Sequence, residues 1–236
     1  MLVTGSAQGI GYAVAEQATA AGAACALIDR NLDGVRAAAK RLKGSTAWSC
    51  DVSDRNEVIS TVQGIEDACG PIDVLVNSAG VWGHTPVLEV AEEDWDRIQQ
   101  VNVKGVLFCV QAVAPAMQLR GTGNIVNIAS MAGFGGSANW SAYCASKAAV
   151  ISLTLALANE LRQNNVQVNA VCPGAVDTPM TDDILRQEPG SSFGHAVSPA
   201  AVAEIVLQLV SPSGGSHGAP IVAMGEPGQI LGMTIK

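Results

Sequence analysis

Tyr143 and Lys147 are the side chains whose types and spacing point most directly to chemistry. They stand four positions apart in the segment Y-C-A-S-K, and a helix places residues at that spacing on one face. A phenol with a pKa of about 10 is a poor acid or base at neutral pH, but a neighbouring ammonium stabilises its anion. The pair therefore predicts proton transfer to or from a bound molecule. The pattern is short, however, and it also arises by chance.

A glycine-rich segment near the N-terminus predicts a phosphate-binding turn. Residues 4–11 read T-G-S-A-Q-G-I-G and stand between an apolar run and an alanine-rich helical pattern. Residues without a Cβ let the chain turn sharply and let a pyrophosphate approach the backbone. The N-terminus of the following helix supplies free N–H groups and a partial positive charge. An ordinary strand-to-helix turn is the alternative interpretation.

Asp29 strengthens the dinucleotide interpretation and bears on which dinucleotide is bound. It ends the second apolar run, 18 residues beyond Gly11. A carboxylate at this place accepts hydrogen bonds from the adenosine ribose hydroxyls and repels a 2′-phosphate, so Asp29 favours NAD over NADP. Arg30 follows and could neutralise a phosphate, which keeps NADP open. A solvated surface aspartate is the other alternative.

Short apolar runs alternate with longer helical patterns, and these elements must position the candidate residues. Apolar or β-branched runs predict strands at Met1–Thr4, Ala23–Asp29, Ser45–Cys50, Ile72–Asn77, Asn124–Ser130, Val166–Val171 and Pro220–Met224. Apolar residues at three- and four-residue spacings predict helices near 10–21, 31–43, 54–69, 94–119, 141–163 and 199–210. Such alternation predicts an α/β fold, a doubly wound sheet of seven parallel strands with helices on both faces. Ligands of such sheets bind at the carboxyl ends of the strands.

Composition agrees with one domain spanning residues 1–236. The chain has 236 residues, of which 48% are hydrophobic and only 14% are charged, against about 25% charged in an average soluble protein. Disordered chains show the opposite balance. The low charge content also fits burial of surface between subunits.

Several classes of partner are not expected. With 13 basic against 21 acidic residues and no basic cluster, the chain lacks the positive stripe that nucleic-acid binding requires. No apolar run approaches the roughly 20 residues of a membrane span, and the N-terminus lacks the pattern of a signal peptide. The six cysteines form no C-x-x-C pair, so we interpret them as reduced core residues of a cytoplasmic protein with no metal site.

A joint set of motifs resembles the short-chain dehydrogenase/reductase family. Besides the turn at 4–11 and the Tyr143–Lys147 pair, the set comprises Ser130, which is 13 residues before Tyr143, the segment N-S-A-G at 77–80, Asn102 and Pro173-Gly174. The resemblance extends from Met1 to about Met224. It implies a Rossmann-type sheet with the strand order 3-2-1-4-5-6-7. It also implies an NAD(H)-dependent oxidoreductase that interconverts a secondary alcohol and a ketone.

The resemblance assigns four catalytic roles. Tyr143 would be the general acid/base that exchanges a proton with the substrate oxygen. Lys147 would depress the pKa of Tyr143 and hold the nicotinamide ribose. Ser130 would hydrogen-bond the carbonyl or alcohol and orient it. Asn102 would kink its helix and anchor a water that relays protons from Lys147 to solvent.

The resemblance also implies a dinucleotide site built from residues that follow the strands. The implied set is Gly5, Gln8, Gly9, Ile10, Gly11, Asp29, Arg30, Asp51, Val52, Asn77, Ala79, Gly80, Tyr143, Lys147, Pro173, Gly174, Val176 and Thr178. Asp51 would contact the adenine, with Val52 beside the ring. The uncharged Gln8 favours NAD, because similar NADP-using proteins often carry a basic residue there. The short segment 178–199 would cover the substrate.

The sequence does not select the substrate. Position alone makes several residues candidates for lining its pocket: Trp82, His84, Met131, Phe134, Asn139, Trp140, Phe193 and His195. An NADPH-dependent 3-oxoacyl thioester reductase and a non-catalytic dinucleotide-sensing module are alternatives to an alcohol dehydrogenase. Two departures from the family pattern bear on the site: Ser78 stands where another Asn is usual, and 224–227 reads M-G-E-P where Asp-Gly-Gly is usual.

Two of the predicted helices bear on assembly. Those near 94–119 and 141–163 resemble the helices that form a four-helix interface in related enzymes. Together with the low charge content, they predict a homotetramer with two-fold axes.

Overall fold

Eight strands form one sheet in the part of the chain that the computed structural model describes, residues 1–187, 196–211, 220–223 and 230–231. They are β1 (Leu2–Thr4), β2 (Cys25–Asp29), β3 (Ser45–Ser49), β4 (Val74–Asn77), β5 (Gly123–Ile128), β6 (Val166–Pro173), β7 (Pro220–Ala223) and β8 (Ile230–Leu231). Their order is β3-β2-β1-β4-β5-β6-β7-β8, and only β8 is antiparallel to its neighbour. The predicted doubly wound sheet and its order 3-2-1-4-5-6-7 are confirmed. The predicted total of seven strands is too low by one. Strand β8 was not predicted, because two residues are too few to show the alternation of a strand.

The central strands are apolar on both faces because helices cover both sides of the sheet. In β1, Leu2 belongs to one hydrophobic core and Val3 to the other, and in β4 Leu75 and Val76 divide in the same way. All four side chains are fully buried. Burial of each such side chain contributes about 1.5–3 kcal/mol. The continuous apolar runs in the sequence therefore follow from the two-sided burial of the sheet.

Eight α-helices accompany these strands in the described residues. They are α1 (Gly9–Ala20), α2 (Leu32–Arg41), α3 (Arg55–Cys69), α4 (Glu92–Gln99), α5 (Gly105–Arg120), α6 (Ser141–Leu161), α7 (Pro179–Gln187) and α8 (Pro199–Val210). Helices α1, α2 and α8 contribute to one core, and α3, α5 and α6 contribute to the other. Side chains cap two of the helix starts. Asp54 accepts a hydrogen bond from the Asn56 N–H at 2.8 Å, and the Ser198 hydroxyl accepts one from Ala201 at 3.2 Å.

Two predicted segments differ in the structure. The single helix expected near 94–119 is divided into α4, a π-helical turn at Gln100–Lys104 and α5. The kink that the resemblance implied at Asn102 lies within this turn. Single π-helical turns inside α-helices are frequent at functional sites. The nine-residue α7 was not predicted, and it forms part of the segment expected to cover the substrate.

Helix α6 is long and apolar, and it carries both Tyr143 and Lys147. With the 3₁₀ turn that follows it, it spans Ser141–Asn164, 24 residues whose most apolar 18-residue window has a mean hydropathy of 1.4, which is enough by length and composition to cross a membrane. The sequence analysis expected no stretch of this length and hydropathy, and this helix corrects that expectation. Its inner face packs on the sheet, where Val150 and Leu157 join the core. The core helix of a doubly wound sheet has these same properties.

All six cysteines are free thiols. Five are buried, as predicted, but Cys69 is exposed. It is the last residue of α3, where the helix leaves the core.

Candidate active site

Two adjoining clefts run along the carboxyl edge of the sheet. The glycine-turn cleft, named after residues 4–11, has a volume of about 250 Å³, and the tyrosine cleft, named after Tyr143, has about 360 Å³. Residues that line both clefts are Ile10, Ser78, Gly80, Thr178 and Met180. The two clefts therefore form one continuous groove.

The three glycines of the turn serve different purposes. Gly5 and Gly9 have φ angles of +64° and +60°, in the left-handed region that favours glycine. A Cβ on Gly5 would lie 2.7 Å from the Ala79 Cα, and one on Gly11 would lie 2.4 Å from the Gly5 carbonyl oxygen. These two glycines are required by close packing of the backbone. A Cβ on Gly9, by contrast, would approach only the side chain of Thr178; Gly9 lines the glycine-turn cleft, as Gly5 also does.

The turn has the features of a phosphate cradle. Helix α1 begins at Gly9 directly after the turn, and no side chain caps its N-terminus. The first N–H groups of a helix lack partners within the helix and attract anions. A Cβ on Gly9 would extend to within 3.4 Å of the Thr178 side chain and narrow the cleft. The residues present therefore fit the pyrophosphate of a dinucleotide.

Asp29 is held rigidly beside the turn. Its two carboxylate oxygens accept hydrogen bonds from the backbone N–H groups of Ala7 at 3.1 Å and Asn31 at 2.9 Å. Its side chain lines the glycine-turn cleft together with Gln8 and the exposed Arg30. The geometry thus places an oriented carboxylate and a guanidinium group in the same cleft.

Asp51 and Val52 follow β3 and line the far end of the same cleft. One oxygen of Asp51 accepts hydrogen bonds from the Ser53 N–H at 2.9 Å and the Ser53 hydroxyl at 2.7 Å. Val52 is buried against α5, where a Cβ on Gly105 would lie 2.8 Å from a Val52 methyl group. Both residues are therefore fixed in place beside the groove.

Ser130, Tyr143 and Lys147 converge in the tyrosine cleft. Ser130 follows β5, and its hydroxyl accepts a hydrogen bond from the Ala132 N–H at 3.2 Å. Ser130 also forms a side-chain hydrogen bond with Tyr143. The Lys147 Nζ lies 5.7 Å from the centre of the Tyr143 ring and donates to the Ile128 carbonyl at 2.9 Å. Two hydroxyls and an ammonium therefore meet at one point of the groove.

The electrostatics of this group differ from the expectation. Burial raises the pKa of Tyr143 to about 12, although the Ser130 hydrogen bond acts in the opposite direction. Burial lowers the pKa of Lys147 to about 8. The expected depression of the Tyr143 pKa by Lys147 is thus absent in the chain by itself. The physical reason is that desolvation penalises both the phenolate and the ammonium.

Asn102 lines neither cleft, but its hydrogen bonds hold residues beside the clefts in place. Its amide oxygen accepts a hydrogen bond from the Val81 N–H, and its amide nitrogen donates to the Val81 carbonyl, both at 2.8 Å. The same nitrogen donates to the Ser146 hydroxyl at 2.9 Å, and that hydroxyl donates to the Tyr143 carbonyl at 2.7 Å. Asn102 therefore joins the loop after β4 to the first turn of α6, which carries Tyr143.

Comparison with known proteins identifies the family. The sequence matches the short chain dehydrogenase family over residues 1–189. The chain belongs to this family. Sorbitol dehydrogenase of Cereibacter sphaeroides is 44% identical over 178 residues, which are 75% of this chain and 70% of that protein. The 3-oxoacyl-(acyl-carrier-protein) reductase of Thermotoga maritima is 37% identical over 222 residues, 89% of each protein.

A solved structure extends the comparison to three dimensions. A variant of actinorhodin polyketide ketoreductase, crystallised with NADPH, matches with a TM-score of 0.91 at 33% identity and covers 95% of each chain. This short-chain dehydrogenase is therefore an oxidoreductase that acts on CH–OH or keto groups and uses a nicotinamide dinucleotide. In its described residues, no group of three His, Cys, Asp or Glu side chains is placed to hold a metal ion.

Two of the residues implied for the dinucleotide site of this short-chain dehydrogenase do not line the groove. Gly11 packs against Gly5, as described above. Asn77 is buried in the sheet, and its amide donates to the Asn127 side chain at 2.9 Å. Thr4 performs a role that the sequence did not reveal, because its hydroxyl accepts hydrogen bonds from the N–H groups of Ser78 and Ala79, both at 3.0 Å. The signal was available in the T-G that opens the turn.

The other implied residues line the groove. Those in the glycine-turn cleft are Gly5, Gln8, Gly9, Ile10, Asp29, Arg30, Asp51, Val52, Ala79 and Gly80. Those in the tyrosine cleft include Tyr143, Lys147, Pro173, Gly174, Val176 and Thr178. Met180, Thr181 and Ile184 of α7 also line the tyrosine cleft and were missed, because α7 itself was missed.

The candidate pocket residues divide between two places. Met131 and Trp140 line the tyrosine cleft. Trp82, His84 and Asn139 line a separate cavity beyond Trp140. Phe134 is exposed and lines none of these cavities. Phe193 and His195 lie outside the described residues, as do residues 224–227 and the part of 178–199 from 188 to 195.

Proposed function

We propose that the protein is an NAD(H)-dependent oxidoreductase that interconverts a secondary alcohol and a ketone, with Tyr143 as general acid/base. The observation that carries the proposal is the meeting of Ser130, Tyr143 and Lys147 in the tyrosine cleft, which is continuous with the glycine-turn cleft. A substrate oxygen in this position is within reach of two hydroxyl groups. The complete set also argues against a module that only senses a dinucleotide.

The chain's own groups divide the proton chemistry among them. A bound nicotinamide dinucleotide supplies the hydride acceptor for oxidation or the donor for reduction. In ketone reduction, the protonated Tyr143 donates its proton to the substrate oxygen while Ser130 holds that oxygen by a hydrogen bond. In alcohol oxidation, Tyr143 accepts the hydroxyl proton. Lys147, whose Nζ lies 5.7 Å from the centre of the Tyr143 ring, is the cation that would offset part of the burial cost of the phenolate that oxidation requires.

NAD is the cofactor that the glycine-turn cleft supports better. The Asp29 carboxylate is fixed by two backbone hydrogen bonds, so it would repel a 2′-phosphate without moving away. Gln8 supplies no positive charge. Arg30 in the same cleft and the NADPH of the ketoreductase neighbour favour the alternative. The ratio of kcat/KM with NAD to that with NADP, measured by absorbance, decides between them, and a larger value with NADP contradicts the proposal.

A 3-oxoacyl thioester reductase is the second candidate. The Thermotoga maritima relative and the ketoreductase neighbour support it. The charge of the chain opposes docking of an acidic carrier protein, because such carriers prefer a basic patch near the pocket. Helix α4 begins with Glu92, Glu93 and Asp94, and α7 contains Asp182 and Asp183. NADPH-dependent reduction of an acetoacetyl thioester, without turnover of simple alcohols, would establish this candidate.

We also infer a homotetramer in the cytoplasm. The most apolar window of the segment Ser141–Asn164 is only 44% buried within one chain, which leaves apolar surface for a second subunit to cover. Leu119 of α5 is 90% exposed, although it is apolar. The free thiols suit a reducing compartment. Light scattering at micromolar concentration tests the assembly, and a monomer contradicts it.

The direct test of the proposed function is turnover. The protein is mixed with NAD and a panel of secondary alcohols, and the reduced cofactor is followed by absorbance. We expect oxidation of at least one class of alcohol and the reverse reaction with the matching ketone. Cofactor binding without turnover of any alcohol, ketone or thioester would instead support the sensing module.

A further inference from the structure

A third cavity lies next to the tyrosine cleft, and we call it the distal cleft. It has a volume of about 230 Å³ and is formed by the loop at 82–85, by α4, by the residues around Asn139 and by Gln187 at the end of α7. Helix α7 also contributes Thr181 and Ile184 to the tyrosine cleft. One helix thus borders both cavities.

A row of aromatic rings connects the catalytic phenol to the distal cleft. The ring centre of Trp140 is 5.8 Å from that of Tyr143 and 5.8 Å from that of Trp82. Trp82 is followed by His84, whose ring centre is 6.4 Å away. Trp140 lines the tyrosine cleft and Trp82 lines the distal cleft. The two cavities are therefore lined by neighbouring rings whose broad surfaces a carbon skeleton can contact.

The polar residues of the distal cleft are held in a defined arrangement. Asn139 has a φ of +65°, one of two positive values outside glycine in the described residues. Its carbonyl accepts a hydrogen bond from the Thr85 N–H at 2.8 Å, and its amide nitrogen lies 3.1 Å from a ring nitrogen of His84. Backbone conformations of this kind cluster at ligand sites, where surrounding contacts enforce them. The amide and the imidazole are thus positioned together in the cavity.

The charges of the distal cleft indicate an uncharged ligand. Arg97 and Asp94 both line it and form an ion pair at 3.5 Å, so they offset each other. Glu92 and Glu93 stand in the same helical turn as Asp94. An anionic ligand would meet this acidic helix start without an unpaired cation to compensate. Amide, imidazole and hydroxyl groups instead suit the hydroxyls of a neutral ligand.

We propose that the distal cleft binds the hydroxyl-bearing far end of a neutral polyol or sugar whose reacting carbon lies at Tyr143. The inference rests on the proposed dehydrogenase function and adds the substrate class to it. The aromatic row contacts the carbon chain, and His84 and Asn139 hydrogen-bond its distal hydroxyls. Simple secondary alcohols lack those hydroxyls and use the tyrosine cleft alone.

The test compares sorbitol with a secondary hexanol, which has the same carbon count without the distal hydroxyls. Asn139→Gly removes the amide and keeps the left-handed backbone, and His84→Ala removes its partner. Asn165→Gly is the matched control, since Asn165 also has a positive φ of 55° and follows the far end of α6, about 30 Å from its start. In both test variants we expect the ratio of kcat/KM for sorbitol to that for the hexanol to fall by about fivefold to tenfold, the effect of one hydrogen bond. The control should retain the ratio.

Three results overturn the inference. They are a ratio unchanged in both test variants, an equal fall in the control, and a higher kcat/KM for the anionic gluconate than for sorbitol. Tryptophan fluorescence separates this failure from failure of the proposed function, because Trp82 and Trp140 lie beside the ligand. In one outcome no alcohol is oxidised, but sorbitol quenches the fluorescence saturably and binds with lower affinity to Asn139→Gly. The proposed dehydrogenase function is then wrong, and the assignment of the distal cleft as a polyol site is supported. If the hexanol is oxidised and sorbitol neither quenches nor is preferred, the cleft assignment fails alone.

Discussion

The burial of Lys147 makes the stability of the protein depend on pH, and one substitution removes that dependence. The folded-state pKa of Lys147 is lowered from 10.5 to about 8 by burial. Below pH 8 the ammonium is charged in both the folded and the unfolded chain, and the folded chain bears the full cost of desolvation. Between the two pKa values the unfolded chain binds more protons, so stability rises with pH. Above the higher pKa the cost is gone.

The size of the effect follows from the pKa difference. A shift of one unit corresponds to about 1.4 kcal/mol, so the cost at neutral pH is about 3 kcal/mol. A pH of about 9.5 lies only about one unit below the unfolded-state pKa of 10.5. At that pH the protein is therefore about 2 kcal/mol more stable than at neutral pH, as far as Lys147 is concerned. Lys147→Met abolishes the cost but also loses the hydrogen bond to the Ile128 carbonyl, which is worth about 1 kcal/mol. The variant should therefore be more stable than the wild type by about 2 kcal/mol at pH 7 and nearly equal to it at pH 9.5.

Urea denaturation at these two pH values measures the difference. Tyr143 and Cys172 also titrate in this range in the unfolded chain, where they are alike in both proteins. The Lys147 ammonium lowers the pKa of Cys172, but burial still raises that pKa to about 11, so the folded thiol stays protonated at pH 9.5 in both proteins. Both proteins are studied without cofactor, since ligand binding would add stability of its own. Equal dependence of the unfolding free energy on pH in the wild type and Lys147→Met would refute the burial of a charged ammonium at this position.

Three further substitutions have expected outcomes. Asp29→Ala should raise the kcat/KM with NADP relative to NAD by about tenfold, because it removes a fixed negative charge from the cleft; an unchanged ratio in the absorbance assay speaks against that role. Ser146→Ala should lower the unfolding free energy by about 1–3 kcal/mol and also lower kcat, since the buried hydroxyl links Asn102 to the turn that carries Tyr143; loss of stability without loss of kcat would make Ser146 purely structural. Gly11→Ala should destabilise the fold by at least about 1–3 kcal/mol, because its Cβ would lie 2.4 Å from the Gly5 carbonyl oxygen; a normal thermal midpoint would contradict that packing.

Much of the fold was predictable because its signals are local. Strands such as β2 and β4 are nearly continuous apolar runs, and the strand order followed from a family resemblance carried by short motifs. The division of the 94–119 helix was only partly foreseen, because the π-helical turn depends on hydrogen bonds between Asn102 and Val81, which is distant in sequence.

The site was less predictable where it depends on tertiary contacts. Gly11 and Gly9 belong to the same glycine pattern, yet one packs against backbone and the other borders the groove. The pKa of Tyr143 is set by the surrounding core, which residue spacing does not encode. The distal cleft combines residues as far apart in sequence as Trp82 and Gln187, and only the folded chain brings them together.

The central claim is that Tyr143 transfers the proton that accompanies hydride transfer. The most direct measurement is the kcat of Tyr143→Phe, with NAD affinity determined on the same protein by titration. The substitution retains the ring and removes only the hydroxyl, so we expect kcat to fall by about 10³–10⁴-fold, the upper part of the range for general acid/base catalysis, while NAD affinity stays within about twofold. Turnover within about tenfold of the wild type, in a correctly folded variant, would contradict the claim and assign the proton transfer to another group.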